Sequence, residues 1–373
     1  MKPNKLNIAT VFSGIGAFEW ALKRMGVNTN IVFACDNGER DIEYDDSLID
    51  IVKKLDSIDD KHDFVEKLYS SKTRKTNFVM RSYLHNHKCP RNRFFQDIRL
   101  LDGTDFKGKV DIFVGGSPCQ SFSSVGYQRG LEDTRGTLFY EFARLVKEIE
   151  PKVFIYENVR NLCNHDNGNT WGIIQRIFDD LGYNYRFDIL NSSDFGIPQT
   201  RRRLFVVGIK SDKDFTMPKG NGTNYTMKQF LETNCKIGNF MANEKGEIVI
   251  KNSPGIIDSK YILTPKLYKY VMKAGTKSFY QKPVINLDIA RTLLKTMGNR
   301  HRVGIDNYVS EDLTTNYGSV RMLTEREAHR LMGFTDDYEI VVSRSQAYKQ
   351  AGNSIVVDVL MAILDTIFNL DIF

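Results

Sequence analysis

Leu6-Asn7-Ile8-Ala9-Thr10-Val11-Phe12-Ser13-Gly14-Ile15-Gly16 is the stretch whose reading decides the fold. Residues 6–12 are apolar and β-branched enough for a buried strand, and Ser13 to Gly16 supply a tight glycine turn. Residues 17–25 have helical spacing, and residues 31–35 read as a second strand that ends at Asp36. That is half of a nucleotide-binding βαβ unit. Further strands are expected at 110–114, 153–156, 185–190 and 203–209, with helices at 138–150 and 171–181 between them. Alternation of this kind predicts an α/β fold in which helices cover a parallel sheet.

The glycine turn indicates what the sheet binds. Gly14 and Gly16 form a GxG, but Glu19 stands where a dinucleotide fingerprint has its third glycine. Asp36 lies 20 residues after Gly16, the place of a ribose-hydroxyl acceptor. The pair favours a cofactor with a nucleoside and no pyrophosphate, while a tight turn alone is the other reading. A second glycine turn, Gly115-Gly116, ends the strand at 110–114 and is followed by Ser117-Pro118-Cys119-Gln120. Cys119 therefore stands just beyond a strand's carboxyl end, where open α/β sheets bind ligands. Attack by a thiol requires thiolate, and hence nearby cations; Gln199-Thr200-Arg201-Arg202-Arg203 offers them, with strand alternation placing Arg201 and Arg203 on one face. Glu157, at the end of the strand at 153–156, is expected at the same sheet edge.

The chain has 373 residues, is 41% hydrophobic and carries a net charge of +6. Residues 213–320 hold 16 Lys and Arg against 9 Asp and Glu, so all of the excess positive charge lies there. Such a segment fits a polyanion, and Lys266, Lys269, Lys273 and Lys277, interleaved with Tyr268 and Tyr270, tilt the reading toward nucleic acid. From 213 the pattern loosens into short strand-like pieces at 247–250, 261–263 and 303–308, and helical patterning resumes at 324–332 and 355–368. The organisation expected is a core of 1–212 plus 321–373, and a smaller, irregular and β-rich domain at 213–320. Residues 38–95 read as an insert of one or two helices whose buried face is Leu48, Ile51, Val52 and Leu55. Its part from 72 to 93 has seven Lys and Arg and no acid, suiting either a phosphate-facing surface or an exposed loop. Five widely spaced cysteines suit a reducing compartment. The apolar stretch at 355–370 is too short to span a bilayer, and a cytoplasmic protein without membrane association is expected. His85, His87, Cys89, Cys163 and His165 form no closed ligand set, so no metal is expected.

With these motifs in order, the chain resembles the DNA (cytosine-5)-methyltransferases, and most nearly the restriction-modification members of bacteria and their phages. Phe12 to Gly16 resembles their S-adenosylmethionine loop, Gly116 to Gln120 their nucleophile motif, Glu157-Asn158-Val159 their glutamate motif and Gln199 to Arg203 their paired-arginine motif. Arg321 to Gly333, then Ala347 to Ser354, resemble the closing motifs. The likeness spans all but 38–95 and the interior of 213–320, the place of the family's target-recognition domain.

The resemblance implies a Rossmann-like S-adenosylmethionine-dependent methyltransferase fold acting on carbon 5 of a flipped-out cytosine in double-stranded DNA. Cys119 would be the nucleophile, Glu157 the hydrogen-bond partner of the base, and Arg203 with Arg201 the holder of its carbonyl oxygen and of the glutamate. The cofactor pocket would use Phe12, Ser13, Gly14, Ile15, Gly16, Asp36, Asn37, Asp97, Ile98, Pro118, Leu138, Asn353 and Ser354. Asn37 departs from the tryptophan that some members place there. DNA contacts would come from Ser121, Ser123, Gln128, Arg129, Thr292, Leu293, Arg300 and Arg302, with the glycine-punctuated stretch 121–136 as a lid. A monomer is expected, with a cognate restriction endonuclease as a functional partner. The rival readings are a transfer-RNA cytosine methylase, a catalytically dead DNA-binding relative and a thiol hydrolase, which would need a histidine beside Cys119.

Overall fold

The computed structural model describes residues 3, 5–118, 138–273, 283–302, 304–310 and 320–373, with the backbone of 275, 276, 279 and 280. Cys119 and the expected lid lie outside the described residues, as do Ser121, Ser123, Gln128 and Arg129.

The first half contains β1 (Leu6–Val11), α1 (Ala17–Arg24), β2 (Thr29–Cys35), α2 (Ser47–Lys53), α3 (Ile58–Lys72), α4 (Phe78–Asn86), β3 (Phe94–Phe95) and β4 (Ile112–Gly115). Then come α5 (Leu138–Ile149), β5 (Val153–Val159), α6 (Asn169–Asp180), β6 (Asn184–Asn191) and β7 (Arg202–Ile209). The seven strands form one sheet in the order β3-β2-β1-β4-β5-β7-β6. Successive strand residues face opposite sides. Ile8, Ile112, Val114, Val153 and Ile155 join one core, while Ala9, Phe113, Phe154 and Tyr156 join the other. α1 packs on the first face and α5 and α6 on the second.

Strand order reverses between β1 and β4, which pair in parallel. The loops leaving their carboxyl ends, Phe12 to Gly16 and Gly116 to Pro118, therefore face one crevice. The expectation of a parallel sheet holds for β3 through β5 and fails at its far edge. β7 runs antiparallel to both β5 and β6. Only residues 192–201 join β6 to β7, and a parallel crossover needs a dozen or more. β5 also extends past the expected 156, so Glu157 lies within it, paired with Phe205.

The insert has three helices rather than one or two. Of its expected buried face only Val52 is buried, whereas Ile51 is 45% exposed. Its small core is instead Ile42, Val52, Val65 and Tyr69 with Leu100. Lys61, buried on α3, ties the insert to the turn between β3 and β4 through Asp102 and Asp105, each at 2.8 Å.

Residues 213–320 contain α7 (Met227–Phe230), β8 (Phe240–Ala242), β9 (Ile248–Ile250), α8 (Pro265–Val271), β10 (Gly275–Thr276), β11 (Phe279–Tyr280) and β12 (Tyr308–Ser310). The chain closes with β13 (Val320–Met322), α9 (Glu325–Arg330), α10 (Arg344–Asn353) and α11 (Val357–Phe368). The loosened segment does not leave the first core at once: Met227, Phe230, Phe240, Leu293 and Val309 all pack into it. Among the described residues, a separate cluster of Leu263, Val271, Tyr308 and Val320 stands apart. Of the strand expected at 261–263, Tyr261 ends a 3-10 turn, Ser259–Tyr261, while Ile262 forms a single antiparallel bridge to Arg321; the strand expected at 303–308 begins at Tyr308. β12 pairs with β13 across the expected boundary at 320.

The span Arg344–Phe368 is long and apolar enough by composition to cross a membrane, but 61% of its apolar window is buried. It is α10 followed by α11, and α11 lies in the core beside α1. Arg24 of α1 fastens this packing through Asp358 at 2.8 Å and the Gly333 carbonyl at 2.9 Å.

Candidate active site and cofactor cleft

The glycine loop is fixed from behind. Phe12 (φ 52°), Gly14 (φ 54°) and Gly16 (φ 78°) all take left-handed backbone, which glycine adopts without penalty. Gly14 N donates to Asp36 Oδ2 at 3.0 Å, and Gly38 N donates to Asp36 Oδ1 at 2.8 Å. Asp36 thus binds the loops after β1 and β2 together; burial raises its pKa, with these N–H groups opposing the rise. A Cβ on Gly16 would lie 2.0 Å from His87 Nε2. His87, at the end of α4, meets the Ile15 carbonyl at 3.0 Å, so the insert braces the loop.

Two adjoining cavities of about 290 and 590 Å³ open at this crevice and share Phe12, Asp36, Asn37 and Pro118 as walls. Gly14, Ile15 and Asn353 line the smaller; Asp97, Ile98 and Leu138 line the larger. Of the expected cofactor residues, Ser13, Gly16 and Ser354 line neither. Ser13 Oγ accepts from Cys35 N at 3.0 Å, and the Ser354 carbonyl accepts from Arg201 at 2.8 Å. Asn37 lines both cavities and bonds within its own loop, to Asp41 and the Glu39 amide, each at 2.9 Å.

Glu157 and Arg203 meet on the wall of the smaller cavity, Arg203 Nε lying 3.2 Å from Glu157 Oε1. Only 14% of the Glu157 side chain is exposed. Burial raises its pKa, while Arg203 and, less strongly, Arg201 oppose the rise. Gly116 allows the β4 loop to touch this carboxylate, since a Cβ there would lie 2.9 Å from Glu157 Oε2. Asn158 Nδ2 holds the same loop through the Ser117 carbonyl at 3.0 Å, and Ser117 Oγ meets Tyr156 OH at 2.7 Å. The chain entering Cys119 is therefore pinned against Glu157.

Arg201 lines the same cavity as Arg203, as expected, but its guanidinium is committed elsewhere. β7 begins at Arg202, so Arg201 lies just before the strand while Arg203 lies within it. Arg201 is 4% exposed, and its guanidinium donates to the carbonyls of Leu293, Gly352 and Ser354 at 3.0, 3.0 and 2.8 Å. These bonds make it a staple between residues 290–300 and the end of α10. Burial, and then the Arg203 charge, lowers its pKa, with Glu157 opposing.

The expected DNA-contacting residues divide in the same way. Leu293 is 1% exposed and its side chain belongs to the core. Thr292 Oγ1 donates to the Thr200 carbonyl at 2.6 Å. Arg302 bonds Thr296 at 2.6 Å and lies 3.6 Å from Asp306, whereas Arg300 is exposed. Leu293 and Arg302 are thus committed inward by apolar burial and internal pairing.

Sequence reasoning missed a polar cluster at the rim. Glu39 pairs with Lys349 at 2.7 Å, with Lys295 at 3.4 Å and with Asn353 Nδ2 at 3.3 Å. Phe78 and Val79 of α4 complete that wall. Lys349 was findable from the closing motif that contains it; Glu39 and Phe78, inside the insert, carried no signal. His85 pairs with Glu339 at 2.7 Å, and His165 with Thr170 at 2.7 Å. Among the described residues no three His, Cys, Asp or Glu side chains converge as metal ligands. Neither His165 nor His329 lines the cavities.

A doubly covered sheet with its switch-point crevice, a glycine loop and a buried carboxylate–guanidinium pair defines an α/β fold with a small-molecule-sized cleft at the carboxyl ends of its strands. The C-5 cytosine-specific DNA methylase family matches residues 61–369. The chain is 36% identical over 286 residues to the type II methyltransferase M.SsoII of Shigella sonnei, covering 73% of this chain and 67% of that protein. It is also 36% identical to the type II methyltransferase M.HhaI of Haemophilus parahaemolyticus, covering 68% of this chain and 74% of that one. The solved structure of the S. pombe Dnmt2 methyltransferase superposes with a TM-score of 0.64 at 17% identity, covering 98% of each chain, which supports the fold. The chain belongs to the C-5 cytosine-specific DNA methylase family, and its activity is that of a DNA cytosine-5 methyltransferase. That family is a class of S-adenosylmethionine-dependent enzymes.

Proposed function

We propose that this protein methylates carbon 5 of a cytosine flipped out of a specific double-stranded DNA sequence, through a covalent bond to Cys119. The Glu157–Arg203 pair on the cavity wall, directly beside the loop that enters Cys119, carries the reading. The family and the type II relatives favour DNA over transfer RNA as the substrate class.

The residues present fit S-adenosylmethionine. The larger cavity lies within the volume range of small-molecule sites, with apolar walls at Phe12, Ile98 and Leu138 and acceptors at Asp36 and Asp97. The cofactor supplies an electrophilic methyl group. The Cys119 thiolate adds to C6 of cytosine, forming the Sγ–C6 bond and moving the C5=C6 electrons onto C5, which becomes nucleophilic. Once C5 carries the methyl group, loss of its proton restores the double bond and the Sγ–C6 bond breaks, returning the thiolate. Glu157, whose burial favours its protonated form, donates a hydrogen bond to N3 and accepts one from the exocyclic amine, selecting cytosine by its Watson–Crick edge. Arg203 orients this carboxyl and places positive charge where the base carbonyl gains electron density. A stacked duplex hides C6 from any thiol, so the base leaves the helix. Residues 213–320 supply sequence recognition, and the protein works as a monomer in the cytoplasm, protecting DNA from an endonuclease of the same specificity.

Bisulfite sequencing of DNA exposed to the purified protein and S-adenosylmethionine tests the reading. Modification confined to one cytosine of a short recurrent sequence is expected, with loss of modification and retained DNA binding in Cys119→Ala. Turnover by that variant would overturn it.

A further inference from the structure

The insert at 38–95 reaches Asp97, a carboxylate of the larger cavity, with two phenols. Tyr44 OH donates to Asp97 Oδ2 at 2.9 Å and Tyr69 OH donates to the same oxygen at 3.1 Å. On the other oxygen, Arg99 N donates to Oδ1 at 3.0 Å. The Arg99 guanidinium lies 3.7 Å from Oδ1 and 4.5 Å from the centre of the Tyr44 ring. Tyr69 is 2% exposed and Asp97 7%.

A carboxylate oxygen has two lone pairs in its plane. Oδ2, with two phenol donors, is full, and Oδ1, with one amide donor, keeps one acceptor position. The apolar part of the cavity that Asp97 lines is Phe12, Ile98, Pro118 and Leu138, with Ile42 and Tyr69 from the insert, while Asp36, Asn37 and Glu39 are among its polar walls. Apolar faces beside one open acceptor suit a flat heteroaromatic ring that presents an N–H donor. An amino-substituted purine meets that requirement, whereas a keto oxygen at the same position would face a carboxylate with no proton between them.

We infer that the insert is a wall of the cofactor cleft, and that Tyr44 and Tyr69 are positioning residues that fix Asp97 to select an amino-purine over a keto-purine. The inference rests on the reading that this cleft takes S-adenosylmethionine. It also gives the insert a role that neither its charge nor its spacing indicated. α3, the helix of Tyr69, is held rigidly enough for the purpose, because Lys61 on it binds two carboxylates beyond β3.

Titration calorimetry with S-adenosylhomocysteine and with its deaminated analogue S-inosylhomocysteine tests this in the full-length protein without DNA. The wild type is expected to prefer the adenosyl compound by tenfold or more, at about the strength of one hydrogen bond to a charged group. Tyr44→Phe with Tyr69→Phe is expected to lose most of that preference, weakening the adenosyl compound by about tenfold and the inosyl compound little. DNA affinity, read by fluorescence anisotropy, is expected to stay unchanged. Tyr44→Phe alone, at the less buried site, gives a smaller shift in the same direction and keeps the test available if the double variant misfolds. An unchanged preference in the variants overturns the inference, as does an equal loss for both compounds, which marks a purely structural role. Failure of the wild type to bind either compound overturns instead the cofactor reading beneath it.

Discussion

Arg201 and Arg203 are two residues apart and have different tasks. Arg203 keeps its guanidinium at Glu157, while Arg201 spends its donors on three backbone carbonyls that join distant parts of the chain. Arg203→Ala should therefore lower kcat by about 10²- to 10³-fold, as removal of a group placed on developing charge does, while leaving the urea midpoint close to wild type. Arg201→Ala should instead destabilise the fold by about 3 kcal/mol, since it strips buried carbonyls of charged donors. Comparing steady-state kinetics with urea denaturation for the two variants separates these roles; similar effects in both assays would contradict the division. The paired arginines were legible as a motif and Arg203 as a site residue. The split between them was not, because the carbonyls that hold Arg201 come from Leu293, Gly352 and Ser354, far away in the sequence.

At the scale of elements, α1 shows what the missing third glycine of the fingerprint became. Glu19 is buried, with Thr10 Oγ1 donating to its Oε1 at 2.9 Å and Tyr83 OH donating to the same oxygen at 2.6 Å. Its other oxygen is buried without a hydrogen-bond partner. Burial raises its pKa, and the hydrogen bonds only partly oppose that. A carboxyl raised in the folded state contributes full stability below its unfolded pKa of about 4.3 and loses it as pH rises through the folded value. Glu19→Gln keeps an oxygen for both donors and has no such loss. Its melting temperature relative to wild type should therefore increase between pH 5 and pH 8.5; a constant difference would show that Glu19 is not a cost at high pH. The sequence marked Glu19 as a departure but could not show that α4, from the insert, supplies Tyr83. α10 was missed as a helix for a related reason. Arg344-Ser-Gln-Ala-Tyr-Lys-Gln-Ala-Gly-Asn353 has a weak apolar face, and the element is held by specific contacts such as Gln350 Nε2 on the Phe78 carbonyl at 2.9 Å. Strand content was readable because apolar β-branched runs state it locally. The antiparallel edge was not, since strand direction depends on the length of a connection whose ends the sequence leaves uncertain.

Across the whole molecule, excess positive charge and the catalytic pair occupy different parts of the chain. Residues 213–320 carry the net charge, whereas Glu157 and Arg203 belong to the sheet. Binding and chemistry should therefore separate under salt. DNA affinity should fall by about 10³-fold or more between 50 and 200 mM salt if six or more phosphates are contacted. At saturating DNA, kcat should change little. A flat salt response of Kd would contradict the assignment of the basic segment to DNA. The central claim is that the thiol of Cys119 adds to C6 of the target base. The most direct test is to offer the protein, with S-adenosylmethionine, a duplex whose target cytosine is replaced by 5-fluorocytosine, which has no C5 proton to lose after methylation. A denaturant-stable complex is predicted, with mass spectrometry placing the modified nucleotide on the peptide containing Cys119. Full methylation with no covalent complex, or a crosslink at another residue, would contradict it.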